Sequence, residues 1–271
     1  MDNLKLFLKV LFPFLLLIGN RVCGQDISIS PSIMFFNADP GHAVSNSIKI
    51  TNHGGRTYEF QVNIKDWTRD STGRKVYADP GTLPFSNANW IRLNESIIRV
   101  LPNQVVNVPV QMEIPIDHKS ERSSNSMFFL TQINPDEQET NHPSIGIQIN
   151  YEFGVQIFHN PLSAKKGEVV FTNIVCQEQK DTKKRLVRID FENNGYIHKT
   201  GQIRVELTNL ETGKDYKLDP IHFAIMPLGK QFQIFELNHE IENGNYQLVS
   251  LIDVGDEYEL NIGEKKIHLG I

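Results

Sequence analysis

Ile145-Gly146-Ile147-Gln148-Ile149-Asn150-Tyr151-Glu152-Phe153-Gly154-Val155-Gln156-Ile157 places an apolar residue at every second position, with polar residues or glycine between. A period of two is that of a β-strand with one face against a core and one toward water, not that of a helix. The run extends to about 14 residues with Phe158, against the usual five or six for a strand. Upstream the rule recurs. Ile48 and Ile50, then Tyr58, Phe60, Val62 and Ile64, then Val106, Val108, Val110, Met112 and Ile114 recur at every second position, with polar residues and Pro109 between them. Asn52-His53-Gly54-Gly55, Asp70-Ser71-Thr72-Gly73, Asp79-Pro80-Gly81 and Pro102-Asn103 supply turn signals between them. No segment sustains the i, i+3, i+4, i+7 pattern of a long helix, so the fold class is all-β, an antiparallel sandwich.

Downstream, His159-Asn160-Pro161-Leu162-Ser163-Ala164-Lys165-Lys166-Gly167 breaks the alternation with a proline, small residues and a glycine. A second series of strands follows, at 169–175, 186–191, 203–207, 221–225, 232–237, 246–252 and 259–269. Turns are expected at Asn193-Asn194-Gly195, Glu211-Thr212-Gly213 and Glu242-Asn243-Gly244-Asn245. Seven strands in about 105 residues is the count of an immunoglobulin-like domain. The expected organisation is two immunoglobulin-like antiparallel β-sandwich domains in tandem, 25–160 and 161–271, with no sequence repeat between them.

The first 24 residues read as a cleaved signal peptide. Lys5 and Lys9 precede the apolar run 11–18, and Gly24 stands before Gln25-Asp26. The segment holds three of the 27 basic and one of the 32 acidic residues, so the mature chain has 24 against 31 and a net charge of −7. That balance argues against nucleic-acid binding, which needs a basic face. Hydrophobic residues at 39% with 22% charged suit folded domains, and no later run approaches a membrane span. Cleavage removes Cys23 and leaves Cys176 alone, so the two cores form without an internal disulfide.

Motifs that carry chemistry are missing. The sequence has no Gly-x-Ser-x-Gly, His-Glu-x-x-His or glycine-rich phosphate loop, and its nine histidines are not paired at i, i+2 or i, i+4. Neither a catalytic residue nor a metal or cofactor site is expected. Cys176 lies in a predicted strand with no basic neighbour to activate it, which suits a core position. Asp253, Asp256, Glu257 and Glu259 surround Gly255 without calcium-loop spacing, as in a polar hairpin tip. Arg56, Lys65, Arg69, Arg74 and Lys75, interrupted by Glu59, Asp66 and Asp70, read as a solvated face. Trp67 and Trp90 suit a sandwich core better than a sugar-stacking pair.

The N-terminal half resembles a known family. Ile29-Ser30-Pro31-Ser32-Ile33-Met34-Phe35-Phe36, Ile48-Lys49-Ile50-Thr51-Asn52, the strand 62–67, Pro84-Phe85, Leu101-Pro102-Asn103-Gln104 and Ile114-Pro115-Ile116-Asp117 follow one another in that order. They are similar to the first domain of the PapD-like periplasmic pilus-assembly chaperones. The similarity covers about residues 27–161; in the second domain only the strand pattern agrees. The resemblance implies that the last strand of the first domain is lent to an exported pilus subunit, by strand addition. Counted back from Pro161, the donor positions are Ile147, Ile149 and Tyr151, with Ile145 at the head of the stripe. The family's basic pair, which anchors a client carboxylate, falls here on Ile33 and Gln156, and neither is basic.

Two functions therefore stand side by side. One is a non-enzymatic periplasmic chaperone or assembly factor whose partner is an exported pilin-like or other surface subunit. The other is a secreted or surface binding protein that recognises a glycan or protein through its loops. The stripe 145–157 has an ordinary reading too, as the core-facing side of its own domain. Gly146 and Gly154 lean toward a close approach by another backbone, although glycine also marks bulges.

Overall fold

A computed structural model describes residues 26–134, 150–179, 184–238 and 240–270. Residues 1–24, read as a signal peptide, and the donor positions Ile145, Ile147 and Ile149 lie outside them. Among the described residues ten strands form the first sandwich: β1 (Ile27–Ser30), β2 (Ile33–Asn37), β3 (Ala43–Asn52), β4 (Tyr58–Arg69), β5 (Lys75–Ala78), β6 (Ile91–Arg92), β7 (Ile97–Val100), β8 (Val105–Glu113), β9 (Ser124–Gln132) and β10 (Glu152–Asn160). Eight form the second: β11 (Val169–Gln179), β12 (Lys184–Asn193), β13 (Lys199–Asn209), β14 (Asp215–Lys217), β15 (Ile221–Ile225), β16 (Lys230–Leu237), β17 (Gly244–Asp253) and β18 (Asn261–Leu269). The short strand β14 is one more than the sequence pattern gives; with three residues it carries no period to read.

In the first sandwich, β1-β3-β8-β6 faces β2-β10-β9-β4-β5, with β7 also on β4. The chain changes sheet between β1 and β2, so that β1 pairs antiparallel with β3 while β2 pairs parallel with β10. In the second, β11-β12-β16 faces β14-β13-β17-β18, with β15 on β13. Every ladder except β2/β10 is antiparallel. Residues 161–168 join the two sheet pairs.

Alternation builds each core. Phe60, Phe128, Leu130, Val155 and Ile157 turn inward from the β4, β9 and β10 sheet to meet Ile48, Ile50, Val110 and Met112 from the sheet opposite. Val187, Ile189, Val205, Leu207, Phe235 and Leu248 do the same in the second sandwich. Cys176 is partly buried against that second core. Each sandwich also closes a turn on a buried asparagine. The Asn52 side chain donates to the carbonyls of Arg56, Val100 and Leu101 and accepts from Gly54 N–H. Asn193 donates to Ile197 and Met226 and accepts from Gly195 N–H. Gly195 is required for a second reason, since a Cβ there would overlap the carbonyl of Lys166 where the connecting segment crosses it.

Candidate functional site: the open edge of β10 and the junction beside it

The strand lent in the sequence reading is described from Tyr151 onward. Its β9 side is fully paired, Glu152 opposite Thr131 through His159 opposite Ser124. On the other side β2 reaches only from Gln156, opposite Ile33, to Asn160, opposite Asn37. Gln132 N–H donates to the Tyr151 carbonyl on the β9 side, and Gln156 N–H donates to the Ser32 carbonyl on the β2 side. Successive residues alternate between the two sides, so the main-chain groups of Glu152 and Gly154 point to the edge that β2 leaves open. Among the described residues no strand pairs there.

The side chains along this edge divide by parity. Tyr151, Phe153, Val155 and Ile157 face the first core; Val155 and Ile157 are buried, while Tyr151 and Phe153 are half-buried at its end. Tyr151 stacks on Phe153 with centroids 6.0 Å apart and lies 6.2 Å from Tyr58. Gly154 is on the opposite face, and its missing side chain makes room within the domain. A Cβ there would stand 3.2 Å from Met127 Sδ and 3.3 Å from Phe129 Cε1. On this face the neighbours that a glycine at 154 accommodates are Met127 and Phe129.

The same outer face meets the second sandwich. Three adjacent strands each break alternation there with a buried apolar residue: Trp67 on β4, Met127 on β9 and Phe158 on β10, joined by Met226 from the second sandwich. Phe158 stacks on His198 at 4.4 Å, lies 5.6 Å from Phe35 and meets the Trp67 ring edge-on at 5.7 Å. The Trp67 indole N–H donates to Ser126 O at 2.9 Å. Main-chain bonds pin the contact at its margins, from Ser123 N–H to Tyr196 O and from Phe232 N–H to Ser71 O. Burial, reinforced by the nearby Arg69 and Lys75, pushes the His198 imidazole down to about 3, so it is neutral at ordinary pH.

Trp67 is 1% exposed, and Trp90 is wedged against His118 at 4.7 Å and His159 at 5.4 Å. The burial of Trp67 leaves no sugar-stacking pair; Trp67 is buried at the junction and not in a sandwich core, while Trp90 is half-buried against the first core. Sequence spacing did not reveal the contact between His118 and His159, whose rings lie 6.0 Å apart although the residues are distant in the chain. Among the described residues no group of three His, Cys, Asp or Glu is placed to hold a metal ion, and no helix is long and apolar enough to cross a membrane. The acidic turn near Gly255 is tied up internally: Asp253 accepts from Arg204 and Gly255 N–H, and Glu257 pairs with Lys166 at 3.0 Å.

Ile33 and Gln156, where the resemblance puts the basic anchors, are direct register partners on this outer face. Ile33 packs against the junction cluster, and Gln156 Oε1 is buried without a hydrogen-bond partner among the described residues. The basic region splits. Arg74 pairs with Asp70 at 3.2 Å and Arg56 sits 4.1 Å over the Tyr58 ring, whereas Lys65, Arg69 and Lys75 share the junction face.

No protein-family model matches the sequence, and no curated protein does. Among solved structures, the YadV chaperone is similar at 14% identity over 90% of this chain and 100% of that one, with a TM-score of 0.48. The chaperone and tip subunit pre-assembly complex CsuC-CsuE, from archaic Csu pili of Acinetobacter baumannii, matches at 10% identity, 89% and 98% coverage and a TM-score of 0.48. The Salmonella enterica SafA pilin in complex with the SafB chaperone matches at 12%, 88% and 95%, with a TM-score of 0.44.

Proposed function

We propose that the chain is a non-enzymatic chaperone or assembly factor of the cell envelope, exported with removal of residues 1–24 and built as domains 25–160 and 161–271. It holds an exported subunit, pilin-like or another surface protein, by adding the open edge of its last first-domain strand to that subunit. The observation that carries this reading is the half-covered edge of β10, where β2 stops at Gln156 and leaves the main-chain groups of Glu152 and Gly154 without a ladder partner among the described residues. An uncovered edge invites pairing with another chain, and natural proteins ordinarily blunt such edges. Among the described residues of this edge, Glu152 alone carries a charge.

The core-facing stripe Tyr151, Phe153, Val155 and Ile157 has the same parity as Ile145, Ile147 and Ile149 in the sequence. Strand addition takes affinity from the ladder and specificity from alternate side chains. A client in this position continues the apolar layer of the first sandwich with Ile145, Ile147, Ile149 and Tyr151. With Ile33 and Gln156 at the anchor positions, binding gains nothing from a basic pair there. The burial of Trp67 removes the main support for a glycan-binding role.

Replacing Ile147 and Ile149 by Asn tests the reading. Each buried Ile is worth roughly 1.5–3 kcal/mol, so the double change weakens retention by at least about 100-fold. The measurement is co-purification of the tagged full chain from the periplasm, with circular dichroism to confirm that the fold survives. Loss of the client from a folded variant supports strand donation. A folded variant that keeps its client contradicts it, and an unfolded one assigns both residues to the domain's own core.

A further inference from the structure

Lys65, Trp67 and Arg69 alternate along β4 and therefore share the junction face, and across the ladder Tyr77 stands opposite Trp67 and Lys75 opposite Arg69. The Tyr77 and Phe129 rings meet at 5.3 Å, edge to face, and Lys65 Nζ lies 5.9 Å over Phe129. Arg69 Cζ and Lys75 Nζ stand 5.3 Å and 5.6 Å from the Trp67 ring. The shelf is open to solvent, with Tyr77 44% exposed, and Lys65 and Lys75 exposed beside it.

Its charge is unbalanced. Several cations on other strands of this acidic chain pair with carboxylates: Arg92 with Glu113, Arg99 with Glu59, Arg188 with Asp190 and Lys230 with Glu192. Among the described residues no carboxylate lies within ion-pair reach of Lys65, Arg69 or Lys75. Arg69 donates to the Gly73 carbonyl, but its Nε is buried without a partner.

The spacing selects the kind of ligand. Lys65 and Arg69 are four residues apart on one strand, about 13 Å at ~3.3 Å per residue, with Lys75 opposite Arg69, the exposed Tyr77 opposite Trp67 between the ends, and the half-buried Phe129 on β9 opposite Asn63. A compact anion reaches one end only. An extended peptide with carboxylate side chains at i and i+4 and an apolar side chain at i+2 meets both ends and the rings together. A nucleic acid does not suit three cations on a chain of net charge −5.

We propose that this shelf docks an extended acidic segment of the client, of the pattern Asp/Glu-x-apolar-x-Asp/Glu, beside the strand added at β10. The proposal rests on the reading that the client is a protein chain, and it gives that client a second point of attachment. Charge pairing on this surface steers encounter and orients the client, work that Ile33 and Gln156 cannot do.

The test uses the mature full chain and three nine-residue peptides followed by amide chemical shifts. The first has blocked termini and a central Glu-Thr-Phe-Thr-Glu, the second replaces both Glu by Gln, and the third is the Gln peptide with a free C-terminus. The expected result is saturable shifts at Lys65, Arg69, Lys75, Tyr77 and Phe129 with the acidic peptide only. Affinity should fall about tenfold or more in the Lys65→Gln/Lys75→Gln variant, whose altered side chains are exposed. Equal binding of the blocked Gln peptide, undiminished binding by the variant, or no saturable shift at these positions overturns the proposal. Binding by the free-terminus peptide alone also overturns it, since the shelf then reads a chain end. If the shelf fails while Ile147→Asn/Ile149→Asn still releases the client, strand addition stands without it. If the shelf holds while that variant keeps its client, strand addition is the part that falls.

Discussion

Phe158→Ala is expected to cost about 3–5 kcal/mol, the range for truncating a fully buried aromatic side chain. The site is unusual because the loss falls on neither sandwich core. Phe158 is 0% exposed, yet it belongs to the outer face of β10, where Phe35, Trp67 and His198 surround its ring and Met127 and Met226 complete the cluster. Neighbouring Ile157 points the other way, into the first core. Calorimetry should therefore show the transition of the parent protein shifted down and divided into two, as the sandwiches lose the contact that couples them. A single transition lowered by less than about 1 kcal/mol would show that the junction contributes little.

The second large effect is in acid. The buried His198 stays neutral in the folded protein down to about pH 3, whereas an unfolded histidine takes up a proton below about 6.5. Between those values the unfolded state binds more protons. Stability is thus fully present above about pH 6.5 and is lost as pH falls toward 3, by up to about 1.4 kcal/mol per pH unit. From pH 6 to pH 4 the decline from this group reaches roughly 2–3 kcal/mol. Burial also lowers His159 and His118, and adds in the same direction. His198→Phe keeps a ring against Phe158 and removes the titration, so denaturant unfolding between pH 6 and pH 4 should show a flatter decline. An unchanged slope would place the acid sensitivity elsewhere.

Both effects come from a contact that period-two reading conceals. Alternation sorts residues into one wet face and one dry face, and it worked wherever that held. Val155 and Ile157, Phe60, and Val110 with Met112 all turn inward as their spacing requires. It failed where a strand is covered on both sides. Trp67 beside Asp66, Met127 beside Phe128 and Phe158 beside Ile157 interrupt the pattern in three strands that lie next to one another. Those interruptions are the imprint of the second sandwich, but a sequence does not reveal which strands are neighbours. Asp66 makes the same point in reverse. It occupies an inward position and is buried because its carboxylate accepts from Thr82 N–H, Leu83 N–H and the Ser86 hydroxyl.

The candidate edge was legible only in part. The stripe marked a strand here, but the break read from His159 onward ended it at Phe158, whereas β10 runs on to Asn160, just before Pro161 begins the connecting segment. The extent of β2 alongside it was hidden, since parallel pairing with residues 33–37 is a long-range contact without a local signal. The basic shelf was equally hidden. Lys65, Arg69 and Lys75 sit among acidic residues in the chain, and only the turn at 70–74 separates Asp70, held by Thr72 and Arg74, from the face that the three cations share.

The central claim is that another chain's strand completes the edge of β10, and amide hydrogen exchange of the protein with and without its co-purified client tests it most directly. Glu152 and Gly154 N–H groups have no ladder partner among the described residues of the free protein. In the complex, exchange at these two amides, and across residues 145–151 with them, should slow by about tenfold or more as main-chain bonds form. Protection confined to the connecting loops, with exchange at 145–155 unchanged, would contradict the account.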